Sequence, residues 1–216
     1  MSSDPDCDGV TVGEGNLAGK GVYAARDFAA GDMVISYDLV PLTREDFDRL
    51  PEGEDLFVHS YNGRRWLYPP PARWVNHADD PSCYQDFNRT CDVALRPIDS
   101  GEPITIDSGE ETAHELSTFM DAYFEARRAK AVEDLLVLVD PSMVVWRDGR
   151  PIRGHDTVVD ALLADGPVRP VSVEWLIGTG RWEALCSAQN PQLGWHLTIS
   201  LKVVAGNWQI LYEHRG

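Results

Sequence analysis

Cysteine is scarce and poorly spaced for metal. The 216-residue chain has four, Cys7, Cys83, Cys91 and Cys186, and no two form a C-x-x-C pair. Cys83 and Cys91 lie near His77, but that spacing matches no common zinc pattern, so no metal site is expected. Without a secretory context an even count does not imply disulfides, and the thiols are read as reduced and mostly buried. Long hydrophobic runs are also missing, and nothing approaches the ~20 apolar residues that span a bilayer. The N-terminus, Met1-Ser2-Ser3-Asp4-Pro5-Asp6, is acidic and polar, unlike a signal peptide. A soluble cytoplasmic protein, away from the membrane, is the expectation. Positive charge is short as well: 19 Lys+Arg stand against 35 Asp+Glu, for a net −16. The imbalance is concentrated in residues 1–112, with 22 acidic and 9 basic residues. Such a surface repels phosphates and argues against nucleic acid. It would speed association with a basic partner, or simply keep the protein soluble.

What is present begins with residues 73–83, Arg73-Trp74-Val75-Asn76-His77-Ala78-Asp79-Asp80-Pro81-Ser82-Cys83. Asn and Asp beside a chain reversal commonly satisfy their own backbone. The company of this stretch says more. Gly19-Lys20-Gly21-Val22-Tyr23-Ala24 stands about 50 residues before it, and Gly101-Glu102-Pro103-Ile104-Thr105-Ile106-Asp107 about 20 residues after it. The glycines of 13–21 miss the register of a phosphate loop, which needs Gly and Ser or Thr where the chain has Glu14 and Gly21. They suit a turn or a close backbone approach to a ligand. Short strands are expected at Val22–Ala24, Met33–Tyr37, Trp66–Tyr68, Cys91–Leu95 and Ile104–Ile106. Thr43-x-x-Asp46 predicts a capped short helix.

In order and spacing these three motifs resemble the SET domain, a family of S-adenosylmethionine-dependent protein methyltransferases. Its pattern reads G-x-G-[VL]-[FY]-A, then R-[FW]-[IV]-N-H-S-C-x-P-N, then G-E-E-[IL]-T-x-D-Y. The resemblance covers residues 10–110, after a disordered tail at 1–9 and with residues 43–65 as the family's variable insert. It implies a mostly-β SET fold of short strands closed by a pseudoknot. It implies S-adenosylmethionine as cofactor, with Lys20 and Gly21 meeting it through the main chain. Arg73, Asn76 and His77 would frame its amino-acid and adenine ends. Tyr37 matches the catalytic tyrosine of the family's Y-x-G segment, although Asp38-Leu39 follows it. The tyrosine that closes the last motif is replaced, because Asp107 is followed by Ser108. Tyr61, Tyr68 and Tyr84 remain to take its place.

Ser108 to Glu115 is polar and lacks strand pattern, which predicts a domain boundary with 111–115 as linker. Beyond it the period changes. Leu116, Phe119, Met120, Tyr123 and Phe124 recur at helical spacing, and a second helix is expected through Val132–Leu136. A strand at Met143–Trp146, a hairpin turn at Asp148-Gly149 and a helix from Asp156 to Leu163, ended near Gly166-Pro167, come next. Four long strands follow, at 168–177, 181–189, 195–205 and 207–214. Residues 116–216 resemble the SnoaL-like and ketosteroid-isomerase-like cone fold, an α+β cone with a curved antiparallel sheet. The carriers are Leu138–Trp146, Arg153-Gly154-His155-Asp156 and Gly206–His214. Its polar candidates are Asp148, His155, His196, Glu213 and His214. Strict alternation puts Trp208, Ile210, Tyr212 and His214 on one face of the last strand, and Gln209, Leu211, Glu213 and Arg215 on the other. Trp146, Trp175, Trp182, Trp195 and Trp208 would line a cavity or fill a core.

The expected function is SET-type methyl transfer to an amine, on a protein lysine or a small metabolite. The cone would dimerise the chain or bind the acceptor. A catalytically silent SET-derived binding or scaffold module is one alternative. A cyclase or isomerase housed in the cone is another.

Overall fold

In the computed structural model, which describes residues 9–15, 19–165, 170–178, 183–192 and 194–216, the chain divides into two units. The first holds the described residues of Met1–Leu42, Pro51–Val58 and Trp66–Ala113; the second holds those of Thr43–Leu50, His59–Arg65 and His114–Gly216. Expectations for the tail at 1–8, the helix stop at Gly166-Pro167, the strand starts at 168 and 181, and Trp182 lie outside the described residues.

The strands come in sequence as β1 (Val10–Glu14), β2 (Lys20–Ala24), β3 (Met33–Ser36) and β4 (Val40–Leu42), followed by helix α1 (Arg44–Asp48). Next are β5 (Val58–Tyr61), β6 (Arg64–Leu67), β7 (Asn76–His77), β8 (Cys83–Asp86), β9 (Cys91–Ala94) and β10 (Pro103–Ile106). In the first unit β1-β2-β10-β7 form one sheet and β3-β9-β8 another. β2 buries Val22 and Ala24, β10 buries Ile104 and Ile106, and Phe28 bridges to Ile98. β10 runs antiparallel to β2 but parallel to β7, which sets Thr105 beside Asn76 and Ile106 beside His77. Two short sequence motifs about 30 residues apart thereby become neighbouring strands.

Helix α2 runs unbroken from Ser108 to Ala129, so residues 111–115, expected as a linker, are helical, and the division between the units falls among them, after Ala113. The polar composition that suggested a loop belongs to a first turn: Asp107 Oδ1 accepts from Gly109 N at 2.8 Å and caps the helix. Asp and Glu are favourable there because the free N–H groups carry partial positive charge. Then follow α3 (Val132–Leu138), β11 (Val139–Arg147), β12 (Arg150–Ile152), α4 (His155–Ala164), β13 (Ser172–Ile177), β14 (Glu183–Asn190), β15 (Trp195–Val204) and β16 (Asn207–Arg215). The sheet order is β12-β11-β16-β15-β14-β13, antiparallel throughout except for β11 against β16. Asp148 (φ 51°) and Gly149 (φ 72°) turn β11 into β12, both in the left-handed region that a tight hairpin asks for. The apolar faces of α2, α3 and α4, carried by Phe119, Leu135 and Leu162 among others, close on Ile199, Leu201 and Ile210 of the sheet.

Residues 59–65, expected within the insert of the first domain, are part of this second unit. Glu115 of α2 accepts from Ser60 N at 3.0 Å and from Trp208 Nε1 at 3.1 Å, and its Oε1 lies 3.1 Å from His59 Nδ1. Asn207 Nδ2 donates to Gly63 O at 2.9 Å. Gly63 has φ 70°, and a Cβ there would lie 2.3 Å from Leu138 Cδ2, so any other residue would be strained and would have to displace Leu138.

The alternation expected for β16 fails at one point. Leu201 pairs with Ile210, but Ser200 pairs with Tyr212, leaving Leu211 as an extra residue in a β-bulge. Trp208 and Ile210 face inward before it and Glu213 faces inward after it, each fully buried. Glu213 therefore shares the core side with Trp208, contrary to strict period-two counting.

Candidate functional site

Gly21, Asn76 and His77 meet because β2, β10 and β7 are neighbours. They line a cavity of about 240 Å3 together with Val22, Tyr23, Ala78, Asp80, Arg96, Glu102 and 103–105. Asn76 Nδ2 donates to Lys20 O at 3.4 Å. A Cβ on Gly21 would stand 3.1 Å from Gly15 Cα and 3.2 Å from Asn76 Nδ2, so the missing side chain is what keeps this corner open. His77 Nδ1 accepts from Ser108 N at 3.3 Å, which leaves the ring proton on Nε2. Asp79 Oδ1 lies 3.6 Å from that Nε2, and Asp107 Oδ1 3.7 Å from Nδ1. The backbone of Ser108, at the place of the missing tyrosine, thus fixes the tautomer and orientation of His77.

The other expected residues sit differently. The Lys20 ammonium lies over the Trp74 ring, 3.9 Å from its centroid, and only the Lys20 main chain reaches Asn76. Arg73 is committed to the protein: Nη1 donates to Glu54 Oε2 at 2.6 Å, Nε donates to Tyr68 O at 2.8 Å, and the guanidinium stacks 4.9 Å from Phe57. Neither Lys20, Arg73 nor Tyr37 lines the cavity. Sequence reasoning missed Asp80, Arg96 and Glu102. Arg96 hydrogen-bonds Glu102 and holds its carboxyl below the usual carboxylate range. Glu102 stood in the third motif, whereas Arg96 carried no signal of its own.

Tyr37 belongs to a second cluster in the same unit. Its ring centroid lies 5.1 Å from that of Tyr68, and its buried hydroxyl has no hydrogen-bond partner. Burial, reinforced by the carboxyls of Asp92 and Glu111, pushes the phenol well above its ordinary value. Of the tyrosines left to replace the missing one, Tyr68 is here. Tyr84 is exposed, and Tyr61 packs its ring on His114 at 5.7 Å within the second unit.

Residues 19–109 match the family model of the SET domain. Residues 19–109 form a SET domain. No curated protein sequence matches the chain. Among solved structures, a candidate histone methyltransferase from Plasmodium falciparum is 18% identical at TM-score 0.38, covering 46% of this chain and 91% of its own. A protein of cystatin-like fold from Caulobacter vibrioides is 20% identical at TM-score 0.40, covering 49% and 88%. An NTF2-like protein from Cytophaga hutchinsonii is 14% identical at TM-score 0.38, covering 46% and 93%.

Among the described residues of the SET domain and beyond it, no group of three or more His, Cys, Asp or Glu could hold a metal ion, and no helix is long and apolar enough to cross a membrane. Cys83, Cys91 and Cys186 are buried free thiols, and burial pushes Cys83 and Cys186 up to about 12. In the second unit the inward Glu213 meets Tyr123, Arg127 and Arg147, with Asp165 bridging the two guanidiniums. A carboxylate held by two arginines is not the isolated base that isomerase chemistry wants. His196 Nε2 pairs with Ser187 Oγ at 3.0 Å, Asp148 sits in the hairpin turn, and His155 opens α4 with a buried, partnerless Nε2. Trp208 is wholly inside and bonded to Glu115, so it fills a core.

Proposed function

We propose that the SET domain binds S-adenosylmethionine in the Gly21–Asn76–His77 cavity and transfers its methyl group to an amine. The observation that carries this reading is the open corner at Gly21, bounded by the Asn76 amide and a histidine whose Nε2–H is set by the backbone. A zwitterion joined to an adenine needs directed donors and acceptors of this kind rather than bulk charge. Asn76, His77 and the Lys20–Gly21 main chain would hold the cofactor, with Arg73 bracing the turn that leads to them. The sulfonium supplies an already activated methyl group when bound. What remains for the protein is to align a neutral amine, strip its water and keep its geometry. In this reading Tyr37, with Tyr68 against it, would take that task.

Residues 10–110 and 116–216 serve in this reading as catalytic and accessory domains. The accessory cone dimerises the chain or presents the acceptor, which is a protein lysine or a small metabolite. A basic acceptor would gain from the acidic surface of the first half. Titration calorimetry with S-adenosylmethionine tests the reading: wild type binds and Asn76→Ala binds about tenfold or more weakly. Silence in both removes it. The alternative of a silent binding module is favoured by Ser108, and binding without S-adenosylhomocysteine formation across peptide and metabolite amines would select it.

A further inference from the structure

Strand β9 is buried at every position from Cys91 to Ala94, and strands covered on both faces are ordinarily apolar throughout. Asp92 breaks that rule. It is 2% exposed, and its Oδ1 has no hydrogen-bond partner. Directly opposite on β8 stands Gln85, 8% exposed. Its Nε2 donates to Glu111 Oε1 at 3.3 Å and reaches Tyr68 Oη at 3.5 Å, while its Oε1 is left without a partner. Tyr37, 3% exposed, adds a third partnerless buried polar atom beside Tyr68. Native interiors keep such atoms rare, and each one asks for an explanation.

The chemistry of the three atoms is one-sided. Once Asp92 is ionised, its oxygen and the Gln85 amide oxygen only accept, and the phenol can accept as well. The titratable groups around Asp92 are Glu111 from α2, Cys83 from β8 and Tyr37 from the segment after β3. None of these is a cation. A positively charged group with several N–H donors would complement all three at once. Glu111 reaches this cluster from the first turn of the helix that begins at Ser108.

We propose that Asp92, Gln85 and Tyr37 form the acceptor subsite of the SET domain, where Asp92 binds the acceptor as its ammonium cation and takes its proton. The proton step rests on the methyl-transfer reading above. One N–H bond breaks and one O–H bond forms: the proton passes to Asp92 Oδ1, the electron pair stays on nitrogen, and the neutral amine keeps Gln85 Oε1 and Tyr37 Oη as partners. Burial, and then Glu111, pushes the Asp92 carboxyl well above its usual range, which suits it to hold that proton.

The test is calorimetry on the full chain with n-butylammonium, and n-butanol as the uncharged control, between about pH 5 and 9, where the amine stays charged. The amine binds and the alcohol does not. Affinity rises with pH as Asp92 ionises, Asp92→Asn weakens it about tenfold or more and flattens the pH profile, and Asp92→Glu recovers part of it. Free Asp92→Asn melts higher than wild type, because a partnerless buried carboxylate has gone. Absence of butylammonium binding, equal binding of butanol, or an Asp92→Asn protein that binds the amine unchanged overturns the subsite. Parallel titration with S-adenosylmethionine separates the two readings. Cofactor binding without amine binding removes the subsite alone, whereas amine binding without cofactor removes methyl transfer and leaves the ammonium site standing.

Discussion

The Tyr123 hydroxyl donates to Glu213 Oε2 at 2.5 Å, and both side chains are wholly buried. Arg127 Nη1 reaches the same oxygen at 3.1 Å, so the charge is met from two directions. Glu213→Ala would leave the buried Arg127 guanidinium with Asp165 as its one carboxylate partner and the Tyr123 hydroxyl without its acceptor, and the expected loss in unfolding free energy is about 3 kcal/mol. Replacing both partners with apolar residues of similar volume, as in Glu213→Leu with Arg127→Met, should cost less than the single change. Denaturant unfolding of the three proteins checks this, and a double variant weaker than the single would contradict it.

Glu115 serves Ser60 N, Trp208 Nε1 and His59 at once. Glu115→Ala removes the acceptor of Ser60 N and Trp208 Nε1 in a buried place, for an expected cost of about 3 kcal/mol by chemical denaturation. The same geometry predicts that His114–Gly216 expressed alone lacks a cooperative unfolding transition, because residues 59–65 are missing from its fold. A sharp calorimetric transition in that fragment would show the expectation wrong.

Gly21→Ala places a methyl group 3.1 Å from the Gly15 backbone and 3.2 Å from the Asn76 amide. The amide can move and the backbone cannot move cheaply. Loss of most affinity for S-adenosylmethionine, with a melting temperature close to wild type, is the expected outcome of a paired titration and melting experiment.

Asp92 has a pH signature of its own. Its folded carboxyl titrates well above its unfolded value, for reasons of burial first and Glu111 second. The folded state therefore binds the extra proton, and stability falls as pH rises from about 4, the unfolded aspartate value, through the raised folded one. Asp92→Asn should remove this fall. Melting curves across pH 4 to about 8 read it directly, and parallel profiles for the two proteins would exclude Asp92 as its source.

Much of the fold was legible because some signals are local. Thr43 and Asp46 form the reciprocal cap that their spacing implies, and Asp148-Gly149 makes the expected hairpin. The meeting of Gly21 with Asn76 and His77 also followed from motif order. Asp92 was hidden because a single letter inside an apolar strand does not reveal that both faces are covered. The role of residues 59–65 was hidden because it depends on Glu115, Asn207 and Trp208, far away in the chain. The polar start of α2 read as a linker because a capped first turn and a loop share a composition.

The extra residue at Leu211 decides the side of everything after it in β16. In an alternating strand the count of residues carries information that no individual side chain holds. Changes in the length of this strand should accordingly sort by parity rather than by size. Removing Leu211 alone would restore a regular ladder in which Glu213 stands two places from Ile210 and still faces inward, whereas removing Leu211 and Tyr212 together would set it next to Ile210 and turn it outward.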